Sequence, residues 1–227
     1  MYALLPMKLH SERVPEKNFR SLYGKPFFFY IADTLKATGL FTKLVIDTDG
    51  KRIGDLAKER YGDWAVIIQR PVELQGDHVP MNAVIAHDIK VMGHDNDFMQ
   101  THSTNPFLKA ETIRKATEMY REGQASGALD SLFAANVLKT RLYDKDLMPI
   151  NHNPSVLGRT QDLDVIYEEN SNFYFFSGES FRKNNHRIGQ NPRVYPMNRS
   201  AIESLDVDDL LDWGFAESLL KAGVNVT

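Results

Sequence analysis

The chain is expected to be an α/β protein with a mostly parallel, twisted sheet flanked by helices. Two observations lead there. Short apolar runs alternate with stretches of helical period, as in strands joined by crossover helices. That rhythm holds through the first half of the chain, then gives way to a polar, interrupted stretch before strands return. At 227 residues the chain is read as a single domain, 1–227, large enough for a sizeable core.

Tyr2 to Leu5 reads as a short buried strand, followed by a polar loop. Pro26 suits the first turn of a helix, where its missing N–H is already an orphan. Phe27, Tyr30, Ile31, Thr34 and Leu35 form that helix's inward stripe. Lys43 to Asp47 is a second strand, and Ile53, Leu56, Ala57 and Tyr61 mark a helix entered through Asp49-Gly50. Ala65 to Gln69 is a third strand. Pro80 to Met92 is a helix with Val84, Ile85 and Ile89 inward, and Asp97 to Thr101 is a fourth strand. Ile113, Ala116 and Tyr120 place a helix at about 110–122, with Glu111 and Lys115 as an i,i+4 pair.

Residues 128–138 read as a strand. The segment 139–170 is polar and broken by Pro149, Pro154 and Gly158. It is too long for a plain connection in a compact domain and is expected to project as an arm. Asn172 to Phe176 returns to the sheet, Arg193 to Pro196 is a further strand, and Asp208 to Lys221 closes the chain as a helix.

Hydrophobic residues at 42% and charged residues at 25% are ordinary globular values. A net charge of −3 gives no global attraction to nucleic acid or an anionic membrane, and neither is expected as a partner. The absence of cysteine excludes disulfides, thiolate zinc sites and a cysteine nucleophile. No charged n-region and longer apolar run follow Met1, and no apolar stretch approaches the roughly 18 residues of a membrane span. A cytoplasmic protein is expected.

Against this acidic background the loop Lys8-Leu9-His10-Ser11-Glu12-Arg13-Val14-Pro15-Glu16-Lys17-Asn18 is cationic. It follows the carboxyl end of the first strand, where α/β sheets bind ligands. Lys8, Arg13 and Lys17 can converge on phosphates, with Ser11, Asn18 and backbone N–H groups as further donors. The loop has no glycine, so it is neither a Rossmann fingerprint nor a Walker A loop. The competing reading is a solvated surface loop.

Asp206 and Asp208 flank Val207, so in extended chain both carboxylates face one side. Two carboxylates with phosphate oxygens and waters are a usual cradle for Mg²⁺. The competing reading is that one of them caps the last helix, leaving Asp209 and Asp212 on its solvated face. Gln100 to Pro106 is a polar run beyond the fourth strand, where Gln100 or Asn105 can read a base or a sugar hydroxyl. Gln161-Asp162-Leu163 and Tyr167 to Asn170 can contact a sugar or fold over a neighbouring subunit. His102 reads as structural. The seven histidines show no metal-binding spacing, and there is no G-x-S-x-G elbow.

In this order the segments resemble the cytidylyltransferases that make CMP-activated sugar acids: the acylneuraminate cytidylyltransferases (CMP-sialic acid synthetases) and, more distantly, the CMP-Kdo synthetases. The family pattern P-A-R-x-x-S-x-R-I/V-P-x-K-N resembles Pro6 to Asn18, with Lys8 in place of arginine. Asp47-Thr48-Asp49 is similar to its S-T-D, and Arg70-Pro71-Val72-Glu73-Leu74-Gln75-Gly76-Asp77 to its R-P-x-E-L-x-x-D. Gln161 to Ser171 resembles Q-x-L-P-x-x-Y-x-E-N-G, and Asp206 to Asp212 resembles D-I/V-D-x-x-x-D. Each motif alone is moderate; their shared order is the signal. The chain departs after Gln100, at Pro80-Met81, at Ser171, and at Asn184-Asn185-His186-Arg187, where sialic acid enzymes tend to place aromatics.

The resemblance implies a nucleotide-diphospho-sugar transferase-like, Rossmann-like three-layer fold. It implies a reaction in which CTP and a 2-keto-3-deoxy sugar acid give CMP-sugar and pyrophosphate with Mg²⁺. Lys8, Ser11, Arg13, Lys17, Asn18 and Arg70 would hold the nucleotide. Gln100, Lys139, Gln161, Asn170 and Tyr174 would face the sugar acid, and Asp206 and Asp208 would bind the metal. Arg13, Lys17 and Asp208 would carry the catalytic electrostatics. The segment 139–170 would be a dimerisation arm and the enzyme a homodimer. A transferase using another nucleotide or sugar, and a non-catalytic nucleotide-sugar binding protein, are the alternatives.

Overall fold

The computed structural model describes residues 1–156 and 158–224. Strand β1 (Tyr2–Leu4) leads through the cationic loop into a two-stranded ribbon, β2 (Ser21–Leu22) and β3 (Lys25–Pro26). There follow α1 (Phe28–Thr38), β4 (Lys43–Thr48), α2 (Lys51–Tyr61), β5 (Ala65–Gln69), α3 (Met81–Met92), β6 (Asp97–Thr101) and α4 (Ala110–Ala125). The second half holds β7 (Ser131–Leu138), β8 (Ile166–Ser177), α5 (Gly178–Asn184), β9 (Pro192–Met197) and α6 (Leu210–Lys221).

The main sheet has seven strands in the order β5-β4-β1-β6-β8-β7-β9. All ladders are parallel except those of β8, which runs antiparallel to both β6 and β7. The expected mostly parallel sheet is present. Chain order moves outward from β1 through β4 to β5, then crosses to β6 on β1's other side. The loops leaving β1 and β6 therefore part over a cleft, the topological switch point at which such sheets bind ligands.

Strand alternation divides the core between the two faces. Phe173 and Phe175 of β8 pack on the side of α1, α2 and α4, while Tyr174 and Phe176 pack with Ile85 and Ile89 of α3 and Phe181 of α5. A third cluster lies under the cationic loop: Val14, Leu22, Phe27, Phe107 and Val207 around Trp213 and Leu220 of α6. The last helix thus seats the first loop.

Several boundaries differ from the sequence reading. Pro26 is not the first turn of a helix. It lies in β3 opposite Ser21, where a short ribbon tolerates its missing donor, and α1 starts at Phe28. β7 starts at Ser131 and α4 runs on to Ala125; its Glu111–Lys115 pair forms at 3.4 Å. β8 begins at Ile166, so the last residues assigned to the arm are sheet, and α5 was not anticipated. Gly178, the first residue of α5, faces the His94 carbonyl so closely that a Cβ would sit 2.3 Å from the oxygen. Between Lys139 and Val165 the described chain is irregular, with a single bridge from Tyr143 to Pro149 and a short 3₁₀ turn at Thr160–Asp162. No helix among the described residues is long and apolar enough to cross a membrane.

The most consequential correction is at the start of α6. The helix begins at Leu210 and its cap is Asp209, not Asp206 or Asp208. Asp209 Oδ1 accepts from the Leu211 and Asp212 amides at 2.8 and 3.0 Å, and Asp212 Oδ2 accepts in return from the amides of Asp209 and Asp208. Asp209 and Asp212 form a capping box rather than a solvated face, because an acid followed three residues later by another satisfies orphan amides at both places. Replacing Asp209 by alanine is expected to destabilise the protein, read as a lower urea midpoint at unchanged slope.

Candidate active site

The cationic loop closes on itself. Asn18 Nδ2 donates to the Lys8 carbonyl at 2.6 Å, joining the loop's two ends, while Asn18 Oδ1 accepts from Ser103 in the loop after β6. The Leu9 amide donates to Asp49 at 2.6 Å, and the Leu9 side chain lies against Gly50, where a Cβ would meet it at 2.9 Å. With Val14 fully buried, these ties hold a glycine-free loop in one shape.

The loop walls one side of an open cavity of about 300 Å³. Lys8, Ser11, Arg13, Lys17, Asn18 and Arg70, the residues singled out for a nucleotide, all line it, with His102 and Ser103 from the loop after β6. Its cations are held by acids of the same chain. Lys8 pairs with Asp77 at the rim, and Arg13 Nη2 donates to Asp208 Oδ1 at 2.9 Å. Lys17 is buried; its ammonium donates to the Val207 carbonyl at 3.1 Å and lies 3.5 Å from Asp208 Oδ1. Burial lowers the Lys17 pKa, and the Asp208 carboxylate opposes that shift.

Val207 points into the cluster beneath the loop, so Asp206 and Asp208 are directed away from it. Among the described residues the buried Asp206 Oδ1 has no hydrogen-bond partner. Burial raises the Asp206 pKa, with the Asp208 charge adding to the rise.

Arg70 is fixed by a residue the sequence reading gave no role. Its Nε donates to Asp47 Oδ1 and its Nη2 to the Asp47 carbonyl at 3.1 Å. Behind it, Asp47, His87 and Asp88 bring ligand-type atoms within 4.8 Å of one another, but the Arg70 guanidinium already supplies the cation there. The available signal was an acid ending an otherwise apolar strand.

The residues expected at the sugar fall into separate places. Gln100 and Tyr174 are register partners on β6 and β8, both fully buried, and Arg187 joins them. Asn170 is buried and donates to Asn136 Oδ1 at 2.9 Å. Lys139 donates to the Gln161 carbonyl at 3.0 Å, and this exposed pair does not line the cavity. Asn105 is wholly buried away from the cavity, a structural residue of its loop. His102 faces the cavity beside Gln100, with burial and the Arg187 and Lys17 charges pushing its pKa down to about 3; it stays neutral and is too weak a base for proton abstraction near neutral pH.

A cleft at the switch point of a mixed α/β sheet, walled by a glycine-free cationic loop whose Arg13 and Lys17 meet Asp208, is the setting in which nucleotidyltransferases hold their substrates. The cytidylyltransferase family matches residues 2–219, and the chain belongs to that family. It is 24% identical over 230 residues to the pseudaminic acid cytidylyltransferase of Campylobacter jejuni, covering 96% of this chain and 95% of that one. It is 27% identical over 237 residues to the CMP-N,N'-diacetyllegionaminic acid synthase of Legionella pneumophila, with the same coverage of 96% and 95%. Among solved structures, a CMP:2-keto-3-deoxy-manno-octonic acid synthetase complexed with CTP shares the fold. Its TM-score is 0.67 at 10% identity, over 98% of each chain.

The Asp47–Asp88 pair gives a pH test. Burial, then the Asp47 charge, pushes the Asp88 pKa up to about 9. The native protein therefore holds a proton that the unfolded chain releases near pH 4. The stability linked to that proton is complete below about pH 4 and is lost as pH rises toward 9. Asparagine mimics the protonated form, so Asp88→Asn is expected to match the wild type in Tm near pH 4 and exceed it increasingly up to pH 8 to 9. Parallel Tm curves would contradict a proton held on Asp88 in the native protein.

Proposed function

We propose that the protein is a Mg²⁺-dependent cytidylyltransferase that joins the CMP of CTP to a 2-keto-3-deoxy sugar acid of the nonulosonate type, releasing pyrophosphate. The observation that carries this reading is the convergence of Lys8, Arg13, Lys17 and Arg70 on one switch-point cleft, with Asp208 paired to Arg13 and Lys17. The relatives named for pseudaminic acid and legionaminic acid support the sugar class.

The chemistry is an in-line displacement. The anomeric hydroxyl attacks the α-phosphorus, the bond to the β-phosphate oxygen breaks, and negative charge gathers on the departing pyrophosphate. Lys8 and Arg13, paired in the free protein with Asp77 and Asp208, exchange those acids for phosphate oxygens. Lys17, buried and already fixed by the Val207 carbonyl, meets the developing charge with little reorganisation. Arg70, held by Asp47, recognises the nucleotide.

Asp206 and Asp208 fit a hard divalent cation. They are two adjacent carboxylates, neither used as a helix cap, and one retains a buried unpartnered oxygen. Mg²⁺ bound there would supply Lewis-acid charge at the phosphates. The segment 139–165 exposes Leu147, Met148, Ile150 and Val156, an apolar surface suited to a second copy, which supports a homodimer.

The test is pyrophosphate release from CTP with Mg²⁺ and a panel of pseudaminic, legionaminic and N-acetylneuraminic acids and 3-deoxy-manno-octulosonate. Release with a nonulosonic acid and CTP, and not with ATP, GTP or UTP, is expected; no release with any acid would refute the reading. Asp206→Asn and Asp208→Asn are expected each to lower kcat by at least about 10²-fold with Tm within a few degrees of the parent.

A further inference from the structure

We propose that Arg187 receives the carboxylate of the sugar acid and thereby makes the site select an acid over a neutral sugar. The inference rests on the cytidylyl-transfer reading above. Arg187 lies in the turn between α5 and β9, and no motif marks it. Its guanidinium carbon sits 3.5 Å from the centre of the Tyr174 ring, and its Nη1 donates to Gln100 Oε1 at 2.6 Å. The side chain is 15% exposed, so the group is largely withdrawn from water yet reachable.

Three features say that a ligand anion belongs there. First, the charge is incompletely matched. The carboxylate beside it is Glu169, at 3.5 Å and 45% exposed, and the same Glu169 oxygen already accepts from the Tyr174 hydroxyl. Of the five N–H groups of the guanidinium, one on Nη1 donates to Gln100 at 2.6 Å, while Nη2 meets Glu169 Oε1 only at the long distance of 3.5 Å. Second, the group is pre-aimed. With one face on an aromatic ring and one edge held by Gln100, the guanidinium has lost most of its rotamer freedom and keeps donors for a bidentate carboxylate. Third, although Arg187 does not itself line the nucleotide cleft, a short chain of side chains links it to the wall. Gln100 bonds Arg187 through Oε1 and lies 3.1 Å from the ring of His102 through Nε2, and His102 lines the cavity with Lys17. The charges of Arg187 and Lys17 both act on His102, so both lie near it.

The chemistry of the substrate gives this placement a purpose. In a 2-keto sugar acid the carboxylate carbon adjoins the anomeric carbon that bears the attacking hydroxyl. A cation that fixes the carboxylate therefore fixes the nucleophile one carbon away. It also screens the repulsion between that carboxylate and the triphosphate, whose own charge occupies Lys8, Arg13 and Lys17. Lys139, the cation of the expected sugar set, is exposed and tied to Gln161 instead.

The experiment compares the free acid and the C1-carboxamide of whichever panel acid gives the fastest pyrophosphate release, on the full chain and its Arg187→Gln and Arg187→Lys variants. The wild type is expected to prefer the acid. Arg187→Gln is expected to lose about 10²-fold in kcat/KM for the acid, little for the amide, and less than about twofold in KM for CTP, so that the preference collapses. Arg187→Lys restores part of it. An acid-to-amide ratio unchanged in Arg187→Gln overturns the assignment. A parallel fall for acid, amide and CTP does so too, because it marks Arg187 as a prop for Tyr174. No release by the wild type with any acid overturns the transferase reading and the assignment with it.

Discussion

Lys17 is a cation placed where water scarcely reaches, and much of the site is arranged around keeping it charged. An unpaired buried ammonium would give up its proton, so burial demands compensation. The Val207 carbonyl and the Asp208 carboxylate supply it from 190 and 191 residues away. For the chain to deliver both, residues 206–208 must run extended past the loop, which is why α6 starts later and takes Asp209 as its cap. The extended run also turns Val207 into the cluster of Val14, Phe27 and Trp213, so one backbone conformation packs the loop from below and arms it from above. A capped helix starting at Asp206 or Asp208 would forfeit both.

The sheet supplies the other half of the constraint. β1 is central and its carboxyl end is shared by two neighbours, β4 and β6. Asp47 and Thr48 at the end of β4, the cationic loop after β1, and Gln100 to Ser103 after β6 therefore arrive side by side. Their mutual bonds, Arg70 to Asp47, Leu9 to Asp49 and Ser103 to Asn18, are the local consequence of that register. Lys8 and Arg13 remain at the solvent edge, paired with acids that a stronger anion can displace, since exposed ion pairs of this kind contribute little to stability.

What the sequence made legible follows the same division. Strands β1, β4, β5 and β6 and helices α2, α3 and α4 carry their own period and were readable nearly to the residue. The loop's cations and the aspartate pair were readable because charge in a loop is a local signal. The β2–β3 ribbon, α5 and the early start of β8 were not, because short elements are set by contacts across the fold: β8 is long because β7 pairs with it as far as Leu138–Ile166. Asp47 and Arg187 escaped for a related reason. Each matters through a partner distant in sequence, Arg70 for the first, Gln100 and Tyr174 for the second.

Under the proposed function the cleft takes two anions, and Arg187 bears on how they are kept apart. A triphosphate and a sugar carboxylate repel, and a single basic patch would let either occupy it. Here the cations are segregated by their supports. Lys8, Arg13 and Lys17 belong to the β1 loop and are coupled to Asp77 and Asp208, whereas Arg187 is coupled to Gln100, Tyr174 and Glu169 on the β6–β8 side. Near both lies His102, which burial holds neutral, with the two charges adding to the effect. A neutral imidazole at that position adds no further positive charge between the cationic loop and Arg187. The antiparallel strand β8 makes this separation possible. Its insertion beside β6 carries Glu169 and Tyr174 to the same edge of the sheet as the phosphate-facing loop, which a further parallel strand with its crossover helix would not have done.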